Sequence, residues 1–253
     1  MAFDDVYLVT TRLATVSAEQ VRAAEETLKV KFPKDYSEFV TKFGEGTYSG
    51  FVRVYPPERI FKELREVQQR WDEYFLWDEG PEVLTKAEVV ESIVFADTVN
   101  GDELIFHPGK PNRLFLLPRH SYSVLEVADS LSAAIDWLCA SGKLTAPIGF
   151  KYFESWLKRK RGIYVGAGKF EIVCEALTQL DIHDHIENVT EEEDLFFKMF
   201  VSDFHGTVAA MIDDETVTVI LWHDADAANK SLSDVIACLD NLGLQRQSRG
   251  EEK

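Results

Sequence analysis

Cysteine is scarce in this chain: three in 253 residues, at Cys139, Cys174 and Cys238. An odd, widely spaced set with no C-x-x-C pair provides neither a disulfide framework nor a thiolate metal site. Each lies among apolar neighbours, as in Trp137-Leu138-Cys139-Ala140, so all three are expected as small buried hydrophobes in a reducing compartment. Long apolar runs are missing too. Stretches such as Ile93-Val94-Phe95-Ala96 fall far short of the roughly 20 residues that a bilayer helix needs. The start, Met1-Ala2-Phe3-Asp4-Asp5, lacks the basic and then apolar leader of a secretion signal, so a cytoplasmic location without a membrane partner is expected. Positive charge is in deficit: 27 Lys and Arg stand against 44 Asp and Glu, for a net charge of −17. Both halves of the chain share it. Such a field repels nucleic acid and speeds encounter with a basic partner, although acidity also serves plain solubility.

Catalytic signatures are absent as well. There is no G-x-S-x-G and no H-E-x-x-H, and Gly162, Gly166 and Gly168 form neither a dinucleotide fingerprint nor a P-loop. No catalytic residue, cofactor or metal is therefore expected. The most metal-like tripeptide is His183-Asp184-His185, whose two imidazoles would share a face if the segment were a strand; His223, Asp224 and Asp226 would then be the further ligands. A metal-dependent hydrolase built on His183, His185 and His223 is thus the enzymatic alternative, against a solvated Asp/His loop. The basic run Lys158-Arg159-Lys160-Arg161 suggests nucleic acid, but is read as the carboxyl end of a short helix anchored by Phe153, Trp156 and Leu157. The tract Glu191-Glu192-Glu193-Asp194 reads as a hydrated charge run.

What is present has a clear order. Ser17 and Gln20 form a capping box, followed by Val21, Ala24 and Leu28 on one helical face. Pro33 can open a second helix, whose stripe is Tyr36, Phe39, Val40 and Phe43 and whose stop is Gly44. A flexible loop over Glu45–Gly50 leads to a strand at Phe51–Tyr55. After Pro56-Pro57 a third helix places Ile60, Phe61, Leu64, Val67 and Trp71 inward. Strands follow at Ser92–Ala96, Glu103–His107, Arg113–Leu117 and Ser123–Val127, the first two joined by the turn Asn100-Gly101-Asp102. Ser130 caps a closing helix with Leu131, Ala134, Ile135 and Leu138 inward, and Gly142 ends it. Strands joined by tight turns pair antiparallel, so the class is α+β.

These residues resemble the SUKH superfamily, which includes the Smi/Knr cell-wall regulators. The likeness rests on Glu25-Glu26-Thr27-Leu28, Pro33-Lys34-Asp35-Tyr36-Ser37-Glu38-Phe39, Phe43-Gly44-Glu45-Gly46 and Asn100–Phe106, and spans roughly residues 14–140. The segment Glu58–Glu91 is longer than in shorter members. The resemblance implies a SUKH-like mixed or antiparallel sheet flanked by helices. It also implies a non-enzymatic protein-binding scaffold, since many bacterial members are immunity proteins that neutralise toxins and fungal members are regulatory. The acidic charge suits a cationic toxin domain as partner.

The expected organisation is a SUKH-like domain over 1–145, a junction over 146–162, a smaller α+β domain over 163–247 and a frayed tail over 248–253. In the second domain a helix at Phe170–Leu180 precedes strands at Asp194–Phe204, Thr207–Ile212 and Thr216–Trp222. A last helix opens at Ser231. The stretch Tyr74-Phe75-Leu76-Trp77-Asp78-Glu79-Gly80 reads as irregular, with Trp71 in the core and Trp77 as an exposed anchor. The expected partner-binding residues are Trp77, Asp78, Glu79, Asp97 and Asp102. A regulatory scaffold or self-associating role stands as the alternative.

Overall fold

A computed structural model describes residues 2–79, 83–191, 194–224, 226–227 and 229–247. The expected tail 248–253, Gly80, and Glu192 and Glu193 of the acidic tract lie outside the described residues. The chain divides into two compact units, Met1–Tyr7 with Leu13–Leu157 and Leu8–Arg12 with Lys158–Lys253.

The first unit runs β1 (Tyr7–Leu8, of which Tyr7 belongs to this unit), α1 (Ala18–Leu28), α2 (Tyr36–Lys42), β2 (Gly46–Tyr48), β3 (Val52–Val54), α3 (Pro57–Glu73) and α4 (Lys86–Glu91). It continues through β4 (Ile93–Thr98), β5 (Glu103–Phe106), β6 (Leu114–Leu117), β7 (Leu125–Ala128), α5 (Leu131–Ala140) and β8 (Tyr152–Ser155). The strands make one sheet in the order β1-β8-β2-β3-β4-β5-β6-β7. From β3 to β7 it is an antiparallel meander. The class is α+β, as the turn spacing predicts.

Local chemistry explains most boundaries. Ser17 accepts from Gln20 N–H while the Gln20 side chain accepts from Ser17 N–H, so α1 starts on a complete capping box. Helix α2 begins not at Pro33 but after Asp35, which holds φ +68° and accepts a 2.5 Å hydrogen bond from Ser132 Oγ. Its stripe is buried, with Phe43 stacked on Phe153 at 5.0 Å and Tyr36 donating to Tyr55 O at 2.7 Å. Burying each such ring contributes roughly 1.5–3 kcal/mol. In α3 the inward row is Ile60, Leu64, Val67 and Trp71; Phe61, expected with them, is 60% exposed because it lies one helical step off that row.

Other expectations are corrected. The loop expected at Glu45–Gly50 contains β2, and β2 pairs with β8 at Gly46↔Ser155 and Tyr48↔Phe153. Phe153 therefore sits in a strand, where Phe153 and Ser155 are buried and Glu154 between them is half-buried. The expected helix over 153–157 does not form, and the expected junction over 146–162 supplies β8 to the first unit and the start of β9 to the second.

The second unit comprises β9 (Lys160–Ala167), α6 (Phe170–Thr178), β10 (His185–Glu191), β11 (Asp194–Val201), a short 3-10 turn (Ser202–Phe204), β12 (Gly206–Asp213), β13 (Thr216–His223), α7 (Lys230–Asn241) and β14 (Gln245–Arg246). Its sheet order is β10-β11-β12-β13-β9-β14, twice the three strands expected from sequence. Phe197, Met199 and Val201 alternate along β11 and meet Val208, Ala210, Val219 and Leu221 in a core closed by Val173, Leu177, Val235 and Leu239. Asn229, not Ser231, caps α7 by accepting from Leu232 N–H; Ser231 is buried and donates to Asp203. The basic run opens β9, and Arg159 and Arg161 place their guanidinium groups 5.8 and 5.0 Å from the Trp222 ring centre. Thr10 Oγ donates to both carboxylate oxygens of buried Asp224 at 2.8 Å, tying Leu8–Arg12 into this unit.

Two glycines test the first unit's backbone. Gly44 holds φ +73° and a Cβ there would meet Ala14 O at 1.9 Å, whereas Gly142 holds φ +68° with nothing nearer than 3.8 Å. Gly44→Ala should cost at least about 2 kcal/mol, adding a backbone overlap to the left-handed penalty. Gly142→Ala should cost only about 1 kcal/mol. Urea denaturation of the two variants measures the difference, and equal losses would contradict the close approach.

Candidate functional site

The site begins where α3 stops. Tyr74 leaves helical geometry, and the chain runs irregularly through Leu76, Trp77, Asp78 and Glu79. Trp77, expected as an exposed anchor, is only 6% exposed, and its indole N–H donates to Pro118 O at 2.9 Å. An indole can be buried at low cost only where its N–H finds an acceptor, and the carbonyl just after β6 provides one. Phe75 packs edge-on against it at 6.0 Å. With Trp77 turned inward, its neighbours turn out: Leu76 is 54% exposed, and Asp78 and Glu79 are exposed. Glu79 N–H then donates to Tyr122 O at 2.9 Å, which brings Tyr122, 61% exposed, beside the carboxylates.

Asp102 fixes the other side of this loop. It is buried; Thr98 Oγ donates to one carboxylate oxygen at 2.6 Å and Arg119 N–H donates to the other at 3.0 Å. Gly101 closes the intervening turn at φ +90°. Pro118 and Arg119 are consecutive, so Trp77 and Asp102 pin adjacent residues of one segment, and Glu79 pins Tyr122 at its far end. Three of the five expected residues, Trp77, Glu79 and Asp102, thus bond to the segment 118–122, and of these only Glu79, with Asp78 before it in the chain, is exposed to solvent.

Asp97 is elsewhere. It is buried and receives a two-pronged ion pair from Arg53, Nε at 2.8 Å and Nη2 at 2.5 Å. Burial pushes its carboxyl upward against the downward pull of Arg53. Asp97 and Asp102, both expected among the partner-binding residues, are buried and spend their oxygens on internal donors. Glu103, which sequence reasoning missed, does the same, accepting from Trp71 Nε1 at 2.9 Å and Arg70 at 2.5 Å. Tyr74, Leu76 and Tyr122 were also missed; an aromatic between Ser121 and Ser123 in a polar turn was the available signal.

The rival chemical centres do not assemble. His185 opens β10 opposite Phe200, and Phe200, Thr207 and Trp222 continue that row across β11, β12 and β13. His223 follows Trp222, so three strand spacings put it about 14 Å from His185. His223 Nδ1 lies 2.8 Å from Asp224 O. Among the described residues no group of three or more His, Cys, Asp or Glu could hold a metal ion. Burial raises the Cys139 thiol to about 11 and the Cys174 thiol to about 12, which removes the thiolate a nucleophile needs. A cleft of about 510 Å³ lies between the end of α1 and the β5–β6 connection. Its Lys31, Lys110 and Arg113 are paired with Glu25, Glu88 and Glu126, so it offers little surplus charge to an anion.

Residues 15–137 match the sequence model of the SMI1/KNR4 family (SUKH-1). No curated protein matches the chain. Among solved structures, the solution structure of cyanobacterial PsbP (CyanoP) from Synechocystis sp. PCC 6803 is similar at 10% identity, over 57% of this chain and 91% of that one. Its TM-score is 0.20, too low to support any argument. No helix among the described residues is long and apolar enough to cross a membrane.

The division between engaged and free carboxylates is measurable. Asp102→Ala should cost about 2–3 kcal/mol in urea denaturation, because it strands a buried hydroxyl and a backbone N–H. Asp78→Ala should stay within about 0.5 kcal/mol of the parent. Equal effects would show that the two carboxylates do not differ in this way.

Proposed function

We propose a partner-binding role for a chain whose residues 15–137 form a SUKH domain of the SMI1/KNR4 family: it is a non-enzymatic protein that captures a cationic protein domain, in the manner of an immunity protein neutralising a toxin in the cytoplasm. The observation that carries this reading is the loop surface where Tyr74, Leu76 and Tyr122 stand exposed beside Asp78 and Glu79. Aromatic side chains held by a rigid frame lose little entropy on contact, and tyrosine is enriched among residues that dominate binding energy. The flanking carboxylates would meet lysine or arginine on the partner, and the net charge of −17 would speed the encounter. A toxin that acts on nucleic acid needs a cationic face to hold phosphate, and covering that face blocks it without any chemistry. In this reading Asp78 and Glu79 touch the partner, while Trp77 and Asp102 position the loop; Asp97 has no contact role.

The first step of the test is a pull-down with the products of neighbouring genes, to find the partner. Asp78→Lys with Glu79→Lys should then lower the association rate about tenfold at low salt, with the difference shrinking as salt rises. Tyr122→Ala should raise the dissociation rate about 30-fold, equivalent to about 2 kcal/mol at a binding centre. Surface plasmon resonance reads both. Rates unchanged in all these variants would remove this surface as the binding centre.

A further inference from the structure

The sheet of the second unit has two faces, and α6 and α7 cover one of them. The register Phe197, Ala210, Val219 and Tyr164 points into the core beneath those helices. The residues between point the other way. Two registers cross that other face: Lys198, Ala209, Ile220 and Ile163, and beside it Phe196, Met211, Thr218 and Val165. An antiparallel sheet with one solvated face carries polar residues on it. Here six of the eight positions are apolar; five of those are half-buried and Met211 is 37% exposed. None of the six is among the described residues that pack on the unit's core. The two ends of this apolar band differ in charge. At one end Arg161 lies opposite Trp222 with its guanidinium 5.0 Å from the ring centre, and Arg159 reaches the same ring at 5.8 Å. At the other end β12 turns into β13 through Asp213, Asp214 and Glu215, all exposed. Among the described residues, neither Arg161 nor any of these three carboxylates takes part in an ion pair.

From this arrangement we infer that the second unit is a homodimerisation module, in which two copies pack these faces together about a two-fold axis that crosses the strands. Such an axis sets each strand over its own counterpart, running the opposite way. Ile163 of one copy then faces Val165 of the other, and Ala209 faces Met211. Arg159 and Arg161, held over β13 by Trp222, come onto the other copy's Asp213–Glu215 turn, and symmetry makes that contact twice. A two-fold axis along the strands would instead set arginine against arginine. The five long strands β9 to β13, seven or eight residues each, present about 650 Å² per copy at spacings of about 4.8 Å and 3.4 Å. A standard interface takes roughly 600–1,000 Å² from each partner. The net charge of −17 on each copy opposes the encounter, but at physiological salt charges more than about 8 Å apart are largely screened, which leaves the adjacent pairs. The interface lies in the second unit, so its test is separate from that of the loop surface of the first.

Sedimentation equilibrium of the full chain, up to about 100 µM at physiological salt, should show a reversible monomer–dimer equilibrium. Ile220→Lys should raise the dimer dissociation constant at least about 30-fold, as expected for a charge at a buried interface centre. If circular dichroism shows that this variant unfolds the unit, Ile220→Thr takes its place, with at least about a fivefold rise expected. Arg161→Glu alone, and Asp213→Arg with Glu215→Arg alone, should each raise the constant about tenfold. All three changes together should return it to within about threefold of the parent, because a swapped pair is again complementary. A chain that stays monomeric throughout overturns the proposal, as does association that continues past the dimer. A dimer indifferent to the Ile220 variants, or a charge-swapped chain no tighter than the one-sided variants, overturns it too. So does a monomeric chain that holds a different protein on this face.

Discussion

The carboxylate of Asp102 takes a hydroxyl hydrogen bond from Thr98 and a backbone one from Arg119, and the surface we propose for partner binding rests on those contacts. A buried carboxylate is costly unless its oxygens are occupied, and here both are. The same contacts fix the segment after β6, so that Pro118 O meets Trp77 and Tyr122 O meets Glu79. Without that pin the irregular stretch after α3 would have no fixed course. With it, a long apolar ring goes inside and two carboxylates stay in water.

The neighbouring acids follow the same logic. Asp97 is spent on Arg53, and Glu103 on Trp71 and Arg70. In an acidic chain the count of carboxylates is therefore a poor guide to where a partner binds. All three carboxylates in residues 97–103 build the sheet and its turn, and the proposed recognition surface is left with Asp78 and Glu79 beside the exposed Tyr74, Leu76 and Tyr122. A rigid frame under a few exposed groups favours binding because little freedom is lost on contact.

Local signals carried the first unit well. The Ser17–Gln20 box, the Tyr36–Phe43 stripe and the Asn100-Gly101 turn each have a cause within a few residues, and each appears in the structure. What escaped depends on residues distant in sequence. Strand β8 forms because Phe153 finds Tyr48 more than a hundred positions away, while three closely spaced large apolar residues alone suggest a helix. Strand β9 contains Gly162 and Gly166, which weaken a strand pattern, and β10 opens with a histidine. Trp77 was misplaced for the same reason: whether an indole is outside or inside depends on an acceptor, and its acceptor is Pro118, 41 residues on.

Hydrogen–deuterium exchange on the full chain, free and bound to the captured cationic domain, tests this account most directly. Amides of Thr98, Val99, Gly101, Asp102 and Arg119 should already exchange slowly in the free chain, and binding should slow residues 74–79 and 119–123 alone in the first unit. Rapid exchange of the Thr98, Gly101, Asp102 and Arg119 amides before binding, or a footprint elsewhere in that unit, would contradict the claim that one pinned turn presents the surface.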